Sequence, residues 1–361
     1  MKHLLILFTC ITMVSIMYSQ NYRIIIGTYT RATESKGIYT LSVNPSAKTF
    51  TILDTASQVE NPSFLALLGD KLFAVGEGSG VATANAFHLD KQTAKLQYIN
   101  TLSGIGNGPC SVTASERHVM IANYGSGNLN VFSLNSDGSL NNFVQNIQHQ
   151  GGSVDPQRQK GPHAHQVIFN PAGSYLFSNN LGTDLLYAYR YCRIIPQPLE
   201  AVDSILMENG GGPRHLAVSA DGEYLYVLQE LTGTISIVRF KDEKLTLVGQ
   251  SSVIKKPGKA GAADIHLSPD GKFLYATNRI DYNDITAFQL KSPSELIYID
   301  QYSTSGIAPR NFMITRDGKY VFVGNQRSNE IVVFKRNLRN GKLKDTGFRI
   351  PVPAPVCHLE F

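Results

Sequence analysis

No tryptophan occurs in the 361 residues, and cysteine is limited to four. Without Trp there are no Trp-Asp pairs of the kind that mark WD40 repeats. Cys10 lies in an apolar leader, and the three cysteines that remain are too odd a number to pair completely. Cys110 and Cys357 fall near the starts of strands in repeats that are not neighbours, so free buried thiols are expected. Runs of like charge are also missing, Lys255-Lys256 being the nearest approach, and the net charge is only +5. Removing Lys2 with the leader leaves 32 basic against 28 acidic residues, or +4. That balance excludes the basic footprint of a nucleic-acid partner. No apolar stretch reaches the roughly 20 residues that cross a bilayer. The longest, Leu4–Met17, follows Met1-Lys2 and precedes the small residue Ser19. It reads as a secretory signal over residues 1–19, cleaved near Ser19–Gln20. An exported product, periplasmic or extracellular, is expected, with no stable membrane insertion after cleavage.

What the chain has in quantity is a repeat. In the stretch GPHAHQVIFNPAGSYLFSNN, from Gly161 to Asn180, a Pro and a few polar residues lead into a short apolar-alternating run. A Pro-x-Gly turn and a second apolar run follow. Two antiparallel strands and a tight turn give that pattern. Further copies start at Pro62, Pro109, Pro213, Ala262 and Pro309, several with an Asp-Gly turn: Asp221-Gly222, Asp270-Gly271 and Asp317-Gly318. The turn glycines Gly173, Gly222, Gly271 and Gly318 are 49, 49 and 47 residues apart. This is the spacing of four-stranded propeller blades, and two further strands follow each core pair.

Six copies leave a ring open. The chain ends in Pro355–Phe361, which reads as an inner strand without a partner, while Tyr22–Thr30 reads as a second strand without a first. The expected fold is all-β: a seven-bladed β-propeller over 20–361, its last blade closed by the N- and C-terminal strands. Closure of this kind removes exposed sheet edges.

The start of the innermost strand and the end of the second meet on one face of a propeller. Eight residues before each turn glycine stand His165, Arg214, Ala263 and Arg310, and eight after it Leu181, Glu230, Arg279 and Gln326. The two shorter copies put Ser63 and Cys110 in the first ring, Glu77 and Tyr124 in the second. His163, His165, Arg214, His215, Glu230, Arg279 and Arg310 thus converge on one mouth of the channel. Guanidinium groups suit an anion and a developing oxyanion, and a His or Glu can move a proton. A water-filled channel is also commonly lined by such residues, and both readings stand at this point. His266 and His358 lie in inner strands as core or channel histidines. No spacing resembles a metal site: His163 and His165 on one strand face lack a third ligand.

The run Val154–His165 (VDPQRQKGPHAH), with Gly212-Pro213-Arg214-His215 and Ile265–Gly271, resembles the lactonase family of seven-bladed propellers. That family includes the propeller-type 6-phosphogluconolactonase and, more distantly, carboxy-cis,cis-muconate cyclase. The similarity spans essentially all of Tyr22–Phe361. It implies a carboxylic-ester hydrolase acting on a small-molecule sugar lactone, most directly 6-phosphogluconolactone to 6-phosphogluconate, with no cofactor and no metal. The alternatives are a lactonase or cyclase for another anionic or sugar lactone and a non-catalytic carbohydrate-binding propeller. By motif the resemblance places catalysis on His165, Arg214, Glu230 and Arg279. His163, His215, Arg310 and Glu77 complete the expected site as residues that bind an anionic substrate.

Overall fold

The computed structural model describes residues 20–78 and 81–361. Residues 1–19, the expected signal, lie outside them. Among the described residues there are twenty-eight strands and no helix. The strands form seven antiparallel sheets of four, six of them contiguous in sequence. The seventh joins Pro355–Glu360, as innermost strand, to Tyr22–Thr28, Ile38–Asn44 and Thr49–Ala56. Leu359 pairs with Ile25 and His358 with Ile26, so both ends of the chain close the ring.

The sequence explains the layering within a blade. Second strands such as Phe273–Asn278, Tyr320–Asn325 and His118–Asn123 are buried at every residue, because a sheet covers each of their faces. Fourth strands such as Lys244–Ser252 and Leu140–Gln148 are mostly exposed on the rim. Among the described residues there are seven apolar clusters, and each bridges two adjacent blades. One packs Phe273, Tyr275 and Ile285 of the fifth contiguous blade against Phe312, Val321 and Phe334 of the sixth. Another joins Tyr22, Ile24 and Leu41 of the closing blade to Phe322 and Val333. No single central core exists, and the burial that stabilises the fold is shared among the interfaces. The Asp-Gly turns repeat one geometry: Gly222, Gly271 and Gly318 have φ of 78°, 67° and 72°, a region glycine enters without steric cost. Their amides bond to the carbonyls of Ser219, Ser268 and Thr315.

Two recurrent features build the mouth of the channel. The first is a backbone hydrogen bond at the end of the second strand, donated by Tyr29, Glu77, Tyr124, Leu181, Glu230, Arg279 and Gln326 in the seven blades. These residues make the outer ring, and Tyr29 belongs to it although the N-terminal strand has no turn glycine from which to count. The second is a β-bulge in the inner strands. Pairing jumps across Cys110, His165, Arg214, Arg310 and Val356 in five blades, and over Ala263–Asp264 in a sixth. A bulge leaves one residue unpaired and re-aims its side chain; here it falls at the position counted from the turn glycines.

One residue further along, the side chains stitch blades together. Ser111 Oγ accepts from the amide of Val167, Gln166 Oε1 from Leu216, and Asp264 Oδ2 from Phe312. His215 Nδ1 bonds to Asp264 and His358 Nδ1 to Asn311. These polar residues are buried because the channel-facing edge of each inner strand needs partners that its own sheet cannot supply.

Candidate active site

A cavity of about 370 Å³ occupies the channel mouth, lined by Glu77, Cys110, Tyr124, Arg158, His165, Arg214, Glu230, Arg279 and Arg310 together with Gly108 and Gly125. Six of the eight residues expected from the sequence meet there. The other two do not. His163 precedes the strand Ala164–Phe169 and stacks on Tyr124, with ring centroids 4.3 Å apart, while its Nδ1 bonds to the Tyr124 carbonyl at 2.7 Å. The bulge at His165 breaks the alternation that would have put both rings on one face. His215 lies in the stitching layer, buried, with Nδ1 2.7 Å from Asp264. Neither lines the cavity.

Glu230 organises one wall. Its Oε1 accepts from Arg158 Nη2 at 2.8 Å, and its Oε2 lies 2.9 Å from Arg214 Nε and 3.1 Å from Arg279 Nη2. Burial alone would push this carboxyl up, but the three guanidinium groups hold it down at about 2. A carboxylate so stabilised, with both oxygens engaged, is a poor proton acceptor at neutral pH. Arg214 is almost fully enclosed. Burial, with repulsion from Arg279 and Arg310, brings it down to about 9, which still leaves it charged. Nε serves Glu230 and Nη1 the Ala263 carbonyl, leaving Nη2 for the cavity. Arg279 is tied to the Gly261 and Ala262 carbonyls as well as to Glu230.

Facing this wall, Arg310 sits over the ring of Tyr29, 5.3 Å from its centroid, and Tyr29 Oη donates to Glu77 Oε1 at 3.2 Å. Burial opposes the Arg310 charge, but Tyr29 and Glu77 outweigh it and raise its pKa. Among the described residues its guanidinium has no hydrogen-bond partner. His165 completes the cavity. Burial and the charges of Arg214 and Arg310 hold it well below its ordinary pKa, so its ring is neutral. Cys110 offers no nucleophile: burial pushes its thiol up to about 12, and its Sγ lies against the His165 carbonyl. Among the described residues no group of three His, Cys, Asp or Glu is arranged to hold a metal ion. A wider groove of about 990 Å³ shares Glu77 with the cavity, but it is lined by no histidine or cysteine.

Sequence counting missed Arg158 as a site residue. It sits on a loop that lengthens one repeat, outside the eight-residue rule. Asp184 anchors that loop, accepting from Ser153 Oγ, from Gln159 Nε2 at 2.6 Å, and from the amides of Gly210 and Gly212 at 2.6 and 2.7 Å. The same carboxylate thus fixes the approaches to both Arg158 and Arg214. The signal available was the motif itself, since Arg158 stands seven residues before His165 in the run that carries the family resemblance.

The family model described as lactonase, 7-bladed beta-propeller, matches residues 23–359. A 6-phosphogluconolactonase of Bacillus subtilis is 29% identical over 349 residues, covering 92% of this chain and 96% of the relative. One from Formosa agariphila is 31% identical over 330 residues, covering 88% and 94%. The structure of the Pseudomonas aeruginosa periplasmic gluconolactonase superposes with a TM-score of 0.89 at 31% identity, covering 94% of this chain and 99% of that one.

Proposed function

The chain belongs to the lactonase family of seven-bladed β-propellers, and from that premise we propose that it hydrolyses a sugar lactone in the mouth of its channel, with 6-phosphogluconolactone the leading substrate. The observation that carries the reading is a neutral, buried His165 beside an Arg214 whose Nη2 is free for the cavity. His165 is the base: its ring is neutral, and its lone pair takes a proton from water as the oxygen attacks the lactone carbonyl, the oxyanion that develops there favouring the imidazolium. Arg214 Nη2 meets the oxyanion that forms as the carbonyl becomes tetrahedral. Collapse breaks the ring C–O bond, and the departing alkoxide recovers the proton from His165. Glu230 keeps Arg158, Arg214 and Arg279 in place without moving a proton. Arg310, free of hydrogen-bond partners among the described residues, takes an anionic group of the substrate, such as a phosphate.

The decisive experiment is a hydrolysis assay of the purified chain against phosphorylated and plain aldonolactones. Turnover of the phosphorylated lactone with the lower KM is expected, and no rate above spontaneous hydrolysis with any lactone would refute the enzyme reading in favour of a binding propeller. The unphosphorylated lactone is a second candidate, favoured by the apolar leader Leu4–Met17, since export separates the enzyme from cytoplasmic sugar phosphates. Export rests on the sequence of residues 1–19: the native protein is expected outside the cytoplasm with its N-terminus near Gln20. A cytosolic protein that keeps Met1 would overturn it.

A further inference from the structure

Resting on the reading of His165 as the base, we infer that His215 and Asp264 form a positioning dyad behind it, in which His215 Nε2 receives the Nδ1 hydrogen of His165 and so keeps the Nε2 lone pair of His165 turned to the lactone. Two buried ring nitrogens point to this arrangement. Among the described residues His165 Nδ1 and His215 Nε2 both lack a hydrogen-bond partner, and such atoms in a protein interior call for an explanation. They belong to adjacent rings, whose centroids are 5.3 Å apart at an interplanar angle of 70°. Bonds of this kind are often long in an unliganded enzyme and tighten around the substrate.

The far side of the dyad fixes the direction of the hydrogen bond. Asp264 Oδ1 lies 2.7 Å from His215 Nδ1, and its Oδ2 takes Asn311 Nδ2 at 2.6 Å, the Phe312 amide at 3.1 Å and His266 Nε2 at 2.9 Å. Asp264 is held strongly ionised: burial would raise it, but His266 and His215 pull it far down. The proton on the His215 ring therefore sits on Nδ1, which leaves Nε2 as an acceptor. The His165 ring is faced by the Arg214 and Arg310 cations, by His215 and, in a T-shaped contact, by Tyr124. Among the described residues no carboxylate bonds to it directly. The dyad is the route by which a negative charge supports it. When His165 Nε2 accepts a proton from the attacking water, the resulting imidazolium keeps Nδ1–H on His215, whose own Nδ1–H remains on the Asp264 carboxylate. Returning the proton to the ring alkoxide restores the starting state.

Asp264→Asn tests the dyad. Asn311 and the Phe312 amide are donors to Oδ2, so the new amide places its oxygen there and its NH₂ towards His215 Nδ1. His215 must then carry its proton on Nε2, and His165 is driven to the tautomer that cannot act as a base. The expected result is a fall in kcat on the order of a hundredfold or more with KM nearly unchanged, as in other orienting carboxylates converted to amides. Histidine-selective ¹⁵N NMR should show the His165 proton on Nδ1 in the wild type and on Nε2 in the variant, which a purely structural role would not produce. If the wild type carries it on Nε2, or if the variant keeps both kcat and tautomer, the dyad is wrong. His165→Gln separates the two levels: loss of activity there with none in Asp264→Asn removes the dyad alone, and full activity in His165→Gln removes the base reading with it. Should Asp264→Asn not fold, His215→Phe is expected to lose a similar factor in kcat, and the wild-type tautomer decides independently.

Discussion

Two arginines in one cavity have different surroundings, and the proposed mechanism gives them different work. Arg214 is enclosed, braced by Glu230 and the Ala263 carbonyl, and the proposed mechanism gives its remaining nitrogen to the oxyanion of the transition state. Arg310 is stacked on Tyr29 with no hydrogen-bond partner among the described residues, which suits charge that the substrate brings with it. Replacing Arg214 by Met retains much of the side-chain volume and removes the oxyanion donor. We expect kcat to fall on the order of a hundredfold or more. Arg310→Met should act chiefly through KM, and only with lactones that carry an anion. Steady-state kinetics on a phosphorylated and a plain lactone check both, and wild-type parameters in both variants would make the cluster a solvated lining.

At the scale of the element, the bulge is the device that matters. A regular inner strand alternates its side chains across the blade faces, and the unpaired residue at the bulge escapes that alternation. The same irregularity therefore supplies His165, Arg214 and Arg310 from three different blades. The C-terminal strand is the element on which the ring depends, since Pro355–Glu360 covers the edge of Tyr22–Thr28. It also brings His358 to Asn311 in the stitching layer. Deleting residues 355–361 is expected to leave an unpaired sheet edge and an aggregating product. Size-exclusion chromatography and thermal melting measure this, and a soluble monomer with unchanged melting would contradict terminal closure.

For the molecule as a whole, the interfaces between blades hide polar groups that titrate near neutrality. Burial lowers His149, His215 and His358 to about 4, and it lowers His165 in the same direction. In the unfolded chain these rings take up protons near pH 6.5. Between pH 6.5 and about 4 the unfolded state thus binds more protons, and stability falls as pH falls through that window. Each of the three rings contributes on the order of 3 kcal/mol by the time pH 4 is reached. His266, which Asp264 raises against the burial cost, and the carboxyls of Asp284 and Glu360, which burial raises, act in the opposite sense, so the fall is the surplus of the four lowered histidines over these three groups. Calorimetry at pH 7, 5.5 and 4.5 should show a progressive fall in Tm, and a constant Tm over that range would refute the account.

The sequence by itself determined the fold and most of the site. Turn glycines at a period near 49 residues, strands of alternating polarity and two unpartnered terminal strands leave few architectures besides a closed seven-bladed ring. Counting from the glycines then reached His165, Arg214, Glu230, Arg279 and Arg310, because a repeat carries equivalent residues to equivalent places. Tertiary structure alone decided what lies beside what. Arg158 arrives on a loop whose length the period does not specify, and Tyr29 belongs to a strand with no turn glycine from which to count. His215 stands one residue past a bulge, and local pattern cannot tell whether that residue faces the substrate or the next blade. Nor could spacing reveal that three guanidinium groups share Glu230, the contact on which the proposed assignment of the base to His165 rests. Those distinctions depend on distances between residues far apart in the chain, and only the closed ring fixes them.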